Sequence, residues 1–170
     1  PITDYIGPLR YMAEFPTGSS SNNEILKIGP EGKSVYEILV QDSLNRSSPI
    51  LETVNTWISE NFQGFYLHVD HDPDYGSLIN LKHEKKQKCR HLEAGIGLWQ
   101  VLPILVRTAL PAKPNDLIII SRPEAYLQEA VHGNLGELIS KATTNCGGKY
   151  IIETDSPSII IRIRRLIVEG

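Results

Sequence analysis

The sequence predicts an α/β domain in which central, mostly parallel strands lie between helices, with a small antiparallel hairpin beside them. Three observations predict it. Leu117–Ile120 is an unbroken run of four apolar residues, the pattern of a strand buried on both faces. Lys149–Glu153 (KYIIE) is a second central strand, and between the two lies a helical spacing of Val131, Leu135, Leu138 and Ile139. Phe65–Val69 and Ser77–His83 alternate in part on either side of DHDPDYG, whose Asp70, Asp72, Pro73, Asp74 and Gly76 favour a turn, so these two runs read as the hairpin.

The remaining elements follow in order. Asp4–Leu9 reads as a short strand running into a Gly-Pro turn. Ala13–Asn23, polar and rich in Ser and Gly, reads as a mobile loop, and Ile28–Lys33 (IGPEGK) as a further turn. A helix is predicted over Ser34–Leu44, with Ser34 as its cap and Val35, Ile38, Leu39 and Asp42 in helical register. A second spans Ser48–Phe62, with Pro49 in its first turn and an apolar face of Ile50, Leu51, Val54, Trp57 and Ile58; Gly64 ends it. Gly95–Pro111 holds a third, apolar at Leu98, Val101, Leu102, Leu105 and Val106, with Pro103 placed in or just past its first turn. The next helix is expected from Glu124, opened by Pro123, to about Thr143, burying Leu127 as well, with Gly147 and Gly148 as its stop. The last segment, SPSIIIRIRRLIVEG, stays open between two readings. Its β-branched content favours a strand, whereas the spacing of Ile159, Ile163, Leu166 and Ile167 favours a helix.

Composition bounds the function. The 170 residues suffice for one domain with a core, and 41% hydrophobic with 22% charged residues is ordinary for a globular chain. A net charge of −3 gives no electrostatic footprint for nucleic acid over the whole surface. Two cysteines, Cys89 and Cys146, are too few for a disulfide framework and fit a reducing compartment. With no signal peptide and no long apolar run, a soluble cytoplasmic protein with no membrane partner is expected. Pro1 in place of Met, and Gly170 directly after an apolar segment, read as cut ends of a longer protein.

Chemistry is expected where strand ends meet helix starts, the usual ligand edge of open α/β sheets. Four stretches qualify: Gly95–Pro103, a Gly-rich turn entering a helix that exposes amides to an anion; Ser121–Glu124; Glu153–Ser156; and Gly7–Arg10, where Arg10 either anchors a phosphate or pairs with a carboxylate. Other groups read more plainly. His68 and His71 with Asp70 and Asp72 fit a solvated turn better than a metal site, because a strand sends neighbours to opposite faces. His83, Cys89 and His91 lack a zinc-like pairing. Lys82, Lys85, Lys86, Lys88 and Arg90 form a basic patch, either a solvated hairpin end or a nucleic-acid contact; Arg162, Arg164 and Arg165 allow that contact too, or face a partner.

Taken together, AGIGLWQVLPILV, the strand with SRPEAYL, and YIIETDSPSIIIRIRRLI resemble the C-terminal half of an ABC-type ATPase head. The likeness is to the OLD-like predicted ATPases, kin to RecF and SMC heads and common in anti-phage systems. IGPLR and IGPEGKSVYEIL resemble that family too, so the likeness covers residues 1–170 as a single, partial head. It implies that Gly95, Gly97 and Gln100 belong to the signature loop, which contacts ATP on a partner subunit; Trp99 stands where the family has Ser, and the ring is expected to obstruct a γ-phosphate. It implies that Leu117–Ile120 is the Walker B strand. Ser121 then replaces the acid that holds Mg²⁺, and Arg122 replaces the Glu or Gln that activates or orients water. A permanently protonated guanidinium is no base. Arg122 is expected in a salt bridge to Glu124 or Asp155, or as a stabiliser of phosphate charge. Pro123 and Glu124 keep the family's pair, while Gln128 and Glu129 replace its His and Pro after Leu127. Thr154 and Ser156 match the switch loop, with Asp155 in place of His. The phosphate-binding loop G-x-x-x-x-G-K-[ST] is absent from the sequence and would lie upstream of Pro1.

The resemblance therefore implies a degenerate ATPase head with neither ATP nor Mg²⁺ bound by the isolated chain and no metal site. Its partner would be a second copy or an ATPase-like protein, and its role docking or regulation, possible in defence. Two alternatives stand beside it: a fragment of an active ATPase, with nucleotide held only by the intact protein or with a partner, and a nucleic-acid-binding module using the Lys82–Arg90 patch.

Overall fold

The computed structural model describes residues 1–10, 27–74, 76–86 and 93–169. In order the elements are β1 (Thr3–Ile6), α1 (Ser34–Ser43), α2 (Pro49–Asn61), β2 (Phe65–Asp72), β3 (Gly76–His83), α3 (Ile96–Ala109), β4 (Leu117–Ser121), α4 (Glu129–Cys146), β5 (Lys149–Glu153) and α5 (Pro157–Glu169). The expected loop at Ala13–Asn23, and Lys88, Cys89, Arg90 and His91, lie outside the described residues.

The central sheet has the order β1-β4-β5 and is parallel throughout; β2 and β3 form the separate antiparallel hairpin. Ile6 aligns with Ile120, and Ile120 with Ile152, so all three strands end along one edge. Ile6, Ile118 and Ile120 are buried on one face, while Tyr5 and Ile151 on the other stay exposed. Against the buried face lies α3. It is apolar nearly all round, and its residues from Gly97 to Thr108 are buried, as a helix inside a core must be. Through α3 the sheet reaches Val54, Trp57 and Ile58 of α2 and Leu67, Val69, Ile79 and Leu81 of the hairpin, all in one cluster.

Several local expectations are corrected. The last segment is a helix: Ile159 is buried and α5 packs along α4, where Gly136 allows the approach. A Cβ on Gly136 would lie 3.2 Å from the Ile159 carbonyl oxygen. The fourth helix begins at Glu129 rather than Glu124, and Leu127 sits half-buried ahead of it. Tyr126 takes φ +66°, and Gln128 is extended, so a continuous helix from Pro123 is impossible. Pro103 lies in the interior of α3, past the first turn, where it removes the N–H that a carbonyl four residues earlier would accept. Ser34 does not cap its helix but is its first residue. Asp42, buried on α1, accepts the Leu51 N–H at 2.8 Å and so caps the start of α2 from a neighbouring helix.

Two buried carboxylates fasten the opposite end of the sheet. Asp4 accepts the Ile28 and Gly29 amides at 2.8 and 3.0 Å, and Arg107 Nε lies 3.5 Å from its Oδ2. Arg107 is 0% exposed. Asp116 accepts the Ile2 and Lys113 amides at 2.7 and 2.8 Å. The Lys113 bond, then the Ile2 bond, hold its carboxyl below the ordinary 3.8 against the opposing effect of burial.

Asp4→Ala leaves a buried guanidinium without its counter-charge and should cost about 3–5 kcal/mol in urea unfolding. Arg107→Met, which leaves Asp4 its two amide donors, should cost less. Because the Asp116 pKa is depressed in the fold, its stabilisation is present above 3.8 and disappears as pH falls through the lower folded value. Asp116→Asn should accordingly flatten the acid limb of the stability–pH curve.

Candidate functional site

All four stretches singled out in the sequence meet at the C-terminal edge of the sheet. Arg10, at the end of the turn that follows β1, is 5% exposed and joins three of its neighbours. Its Nη1 donates to the Gln100 carbonyl at 3.1 Å; its Nη2 donates to the Ser121 and Arg122 carbonyls at 2.8 and 3.0 Å. Gln100 answers from α3: its Oε1 accepts the Arg10 N–H at 3.1 Å and its Nε2 donates to the Arg10 carbonyl at 2.9 Å. Among the described residues, backbone carbonyls accept from both Nη groups of Arg10, while its Nε is buried without a hydrogen-bond partner. Burial lowers its pKa to about 10, opposed by the charges of Glu124 and Tyr5, so it stays protonated at neutral pH.

At and just beyond the strand ends each acid meets a donor. Ser121 Oγ donates to Glu153 Oε2 at 2.7 Å, joining the ends of β4 and β5. Arg122 Nη2 pairs with Asp155 Oδ2 at 2.7 Å, both groups exposed. That is one of the two carboxylate partners expected for it. Glu124 accepts Thr154 Oγ1 at 2.7 Å and the Asp155 N–H at 2.8 Å, so the β4 turn holds the switch-like loop. Thr154 Oγ1 in turn accepts the Ser156 N–H at 3.0 Å. Arg122 adopts φ +47°, a left-handed backbone that a non-glycine residue holds only when its surroundings over-determine it. Here the Glu153 carbonyl accepts its N–H at 2.7 Å while Arg10 binds its own carbonyl.

The start of α3 packs on the same turn. A Cβ on Gly97 would lie 2.5 Å from the Tyr126 carbonyl oxygen, so only glycine permits this contact. Gly95 is exposed with φ +79° and no side chain caps α3. A cleft of about 350 Å³ opens there between Phe62, Phe65, Gly95, Ile96, Tyr126 and Val131. Trp99 does not reach it: its ring is 1% exposed inside the core, so the expected obstruction of a phosphate is not built. Ile120 is likewise buried within the sheet, at 0%.

Glu124, Glu153 and Asp155 already accept hydrogen bonds or an ion pair, and a guanidinium stands among them. Among the described residues, no group of three His, Cys, Asp or Glu is placed to hold a metal. His68 lies 3.1 Å from Asp70, and His71 bridges the Ser43 and Ser77 hydroxyls. His83 stands edge-on to the Phe65 ring. In the basic patch, Lys86 pairs with Glu93 at 3.0 Å and Lys82 lies 3.9 Å from Asp70. On α5, Arg162 pairs with Glu137 and Arg165 with Glu169.

Sequence reasoning missed His132. From the first turn of α4 its Nε2 faces the Leu127 carbonyl at 3.3 Å and its Nδ1 meets Ser156 Oγ at 2.9 Å, linking the two loops of the edge. A carbonyl only accepts, so Nε2 carries the hydrogen. No local pattern announces this contact, because it arises from the docking of α4 against α5.

No family model matches the chain, and no curated relative does. Solved structures do. One is an SmcHead bound to the C-winged helix domain of ScpA: 16% identity, 79% of this chain and 41% of that chain covered, TM-score 0.51. Another comes from a structural study of ATP-driven dimerisation and DNA-stimulated activation of SMC ATPases: 13% identity, 72% and 77% covered, TM-score 0.51. A third, an Smc head with an extended coiled coil bound to the C-terminal domain of ScpA derived from Pyrococcus furiosus, reaches TM-score 0.47 at 13% identity, covering 67% and 30%. The chain thus spans less than half of the first head's length. The fold is that of an ABC-type ATPase head, with a parallel three-stranded sheet, flanking helices and a hairpin.

Glu124→Ala removes the acceptor for the Asp155 amide. Hydrogen exchange at Asp155 and Ser156 should speed up about tenfold, corresponding to one hydrogen bond to a charged group of roughly 1.5 kcal/mol, with little change in β4.

Proposed function

We propose that this chain is a degenerate ATPase-head domain that works by docking, as a regulatory or interaction module, rather than by hydrolysing ATP. The observation that carries the reading is the 2.7 Å ion pair of Arg122 with Asp155. It occupies the place where the resemblance leads one to expect a water-activating residue and a switch-loop histidine. Ser121, at the position of the metal-binding acid, is hydrogen-bonded to Glu153. A hydroxyl and a guanidinium replace the anionic oxygens that Mg²⁺ requires. The OLD-like, RecF-related assignment, a place in anti-phage defence and a cytoplasmic location belong to this proposal and rest on the sequence resemblance. Among the described residues, no helix is long and apolar enough to cross a membrane.

The partner is a second copy of the chain or an ATPase-like protein. Heads of similar fold are described as dimerising under ATP and as binding ScpA, which is the ground for expecting self-association or a partner here. Under a second reading, the chain is part of an active ATPase whose phosphate-binding loop lies elsewhere in the polypeptide. What favours it is that the chain spans only 41% of the first SMC head's length.

Calorimetric titration of the purified chain with Mg²⁺-ATP should give no saturable heat and no phosphate release, with or without EDTA. Saturable, Mg²⁺-dependent binding with turnover would overturn the reading.

A further inference from the structure

The helix α5 has two apolar faces, and the fold uses one. Ile159 is buried and Ile163 packs on the core from the side that meets α4. On the opposite side Ile160, Ile161, Ile167 and Val168 are 46, 63, 72 and 86% exposed. Four β-branched side chains in solvent over two turns exceed the scattered exposure that needs no explanation. Ile161, Arg164 and Val168 follow the alternating steps of a coiled-coil seam, with Ile160 and Ile167 beside it. Arg164, Arg165, Ile167, Val168 and Glu169 line a shallow groove.

Charge decides what fits. Arg165 pairs with Glu169, and Arg162 with Glu137. Among the described residues, Arg164 has no such partner, although it stands at the centre of the stripe. A second copy is a poor occupant. In an antiparallel two-fold pair centred on the stripe, Ile160 faces Val168 and Ile161 faces Ile167, which places the two Arg164 guanidiniums against each other. Like charges juxtaposed in a contact act against that pairing. A carboxylate at the same place would complete the stripe with a charge-assisted bond.

We propose that the outward face of α5 docks an amphipathic helix of another protein, one that presents apolar residues on either side of a central Glu or Asp facing Arg164. This goes beyond the docking role argued above and does not rest on it, since the stripe uses none of the edge residues around Ser121 and Arg122.

The test uses two stapled helical peptides of about two heptads. Both carry Leu at the facing positions; one has a central Glu and the other a central Lys. Each is titrated into the isotope-labelled chain and followed by amide chemical shifts. The expected result is a perturbation along α5, with the Glu peptide about tenfold tighter than the Lys peptide. Arg164→Glu should reverse the order, and Val168→Asp should weaken both. Equal affinities, no shift on α5, or α5 shifts produced by raising the protein concentration alone would overturn the proposal. So would perturbation of α5 by phosphatidylserine vesicles but by neither peptide.

Discussion

One buried guanidinium holds the working edge of this domain together. Arg10 leaves β1 and donates to carbonyls from α3 and from the end of β4, while its backbone exchanges hydrogen bonds with the Gln100 side chain. Its burial is unfavourable, as its lowered pKa records, and the multiple contacts are what make that burial tolerable. Their effect is positional. The carbonyls of Ser121 and Arg122 converge on one charge, and this convergence helps to hold the left-handed turn at Arg122. That turn in turn aims Glu124 at the loop after β5.

From there the arrangement follows by elimination of free groups. Serine takes one glutamate, arginine takes the aspartate, and threonine with a backbone amide takes the other glutamate. The network ties the ends of β4 and β5 to the loops that follow them, and each of its carboxylates meets a donor. The cleft at the start of α3 is separate in character. Its lining mixes the aromatic rings of Phe62, Phe65 and Tyr126 with polar Asn61, Glu93 and Gln128, beside the uncapped start of α3.

Much of the architecture was legible in the sequence, because it follows from periodicity. The apolar runs of β4 and β5, the hairpin around Pro73 and the largely apolar α3 declare themselves locally. The failures share a cause, which is that distant groups settled a local choice. Pro123 and Glu124 look like a helix start, but Glu124 is drawn across to Thr154 and Asp155, and Tyr126 flips its backbone. Ser34 looks like a cap, but it is the first residue of α1, and no side chain caps that helix. The open reading of the last segment was settled by its packing as a helix along α4, where Gly136 lets the Ile159 backbone approach closely. At the edge, the four stretches could be placed together from sequence, and the pairing of Arg122 with Asp155 was one of the options. The roles of His132 and Arg107 could not be read, because their partners lie on other elements and no spacing marks them. Trp99 shows the opposite limit: aligning it with a signature-loop serine says which position it occupies and not which way the ring points.

The central claim is that Arg10 organises the edge as a unit. Residue-resolved hydrogen exchange on Arg10→Met tests it most directly. The account predicts a concerted loss of protection at Arg122, Ala125 and Asp155, whose amides are bonded across this edge, with the β2–β3 hairpin unchanged. Faster exchange confined to the residues beside position 10 would contradict it.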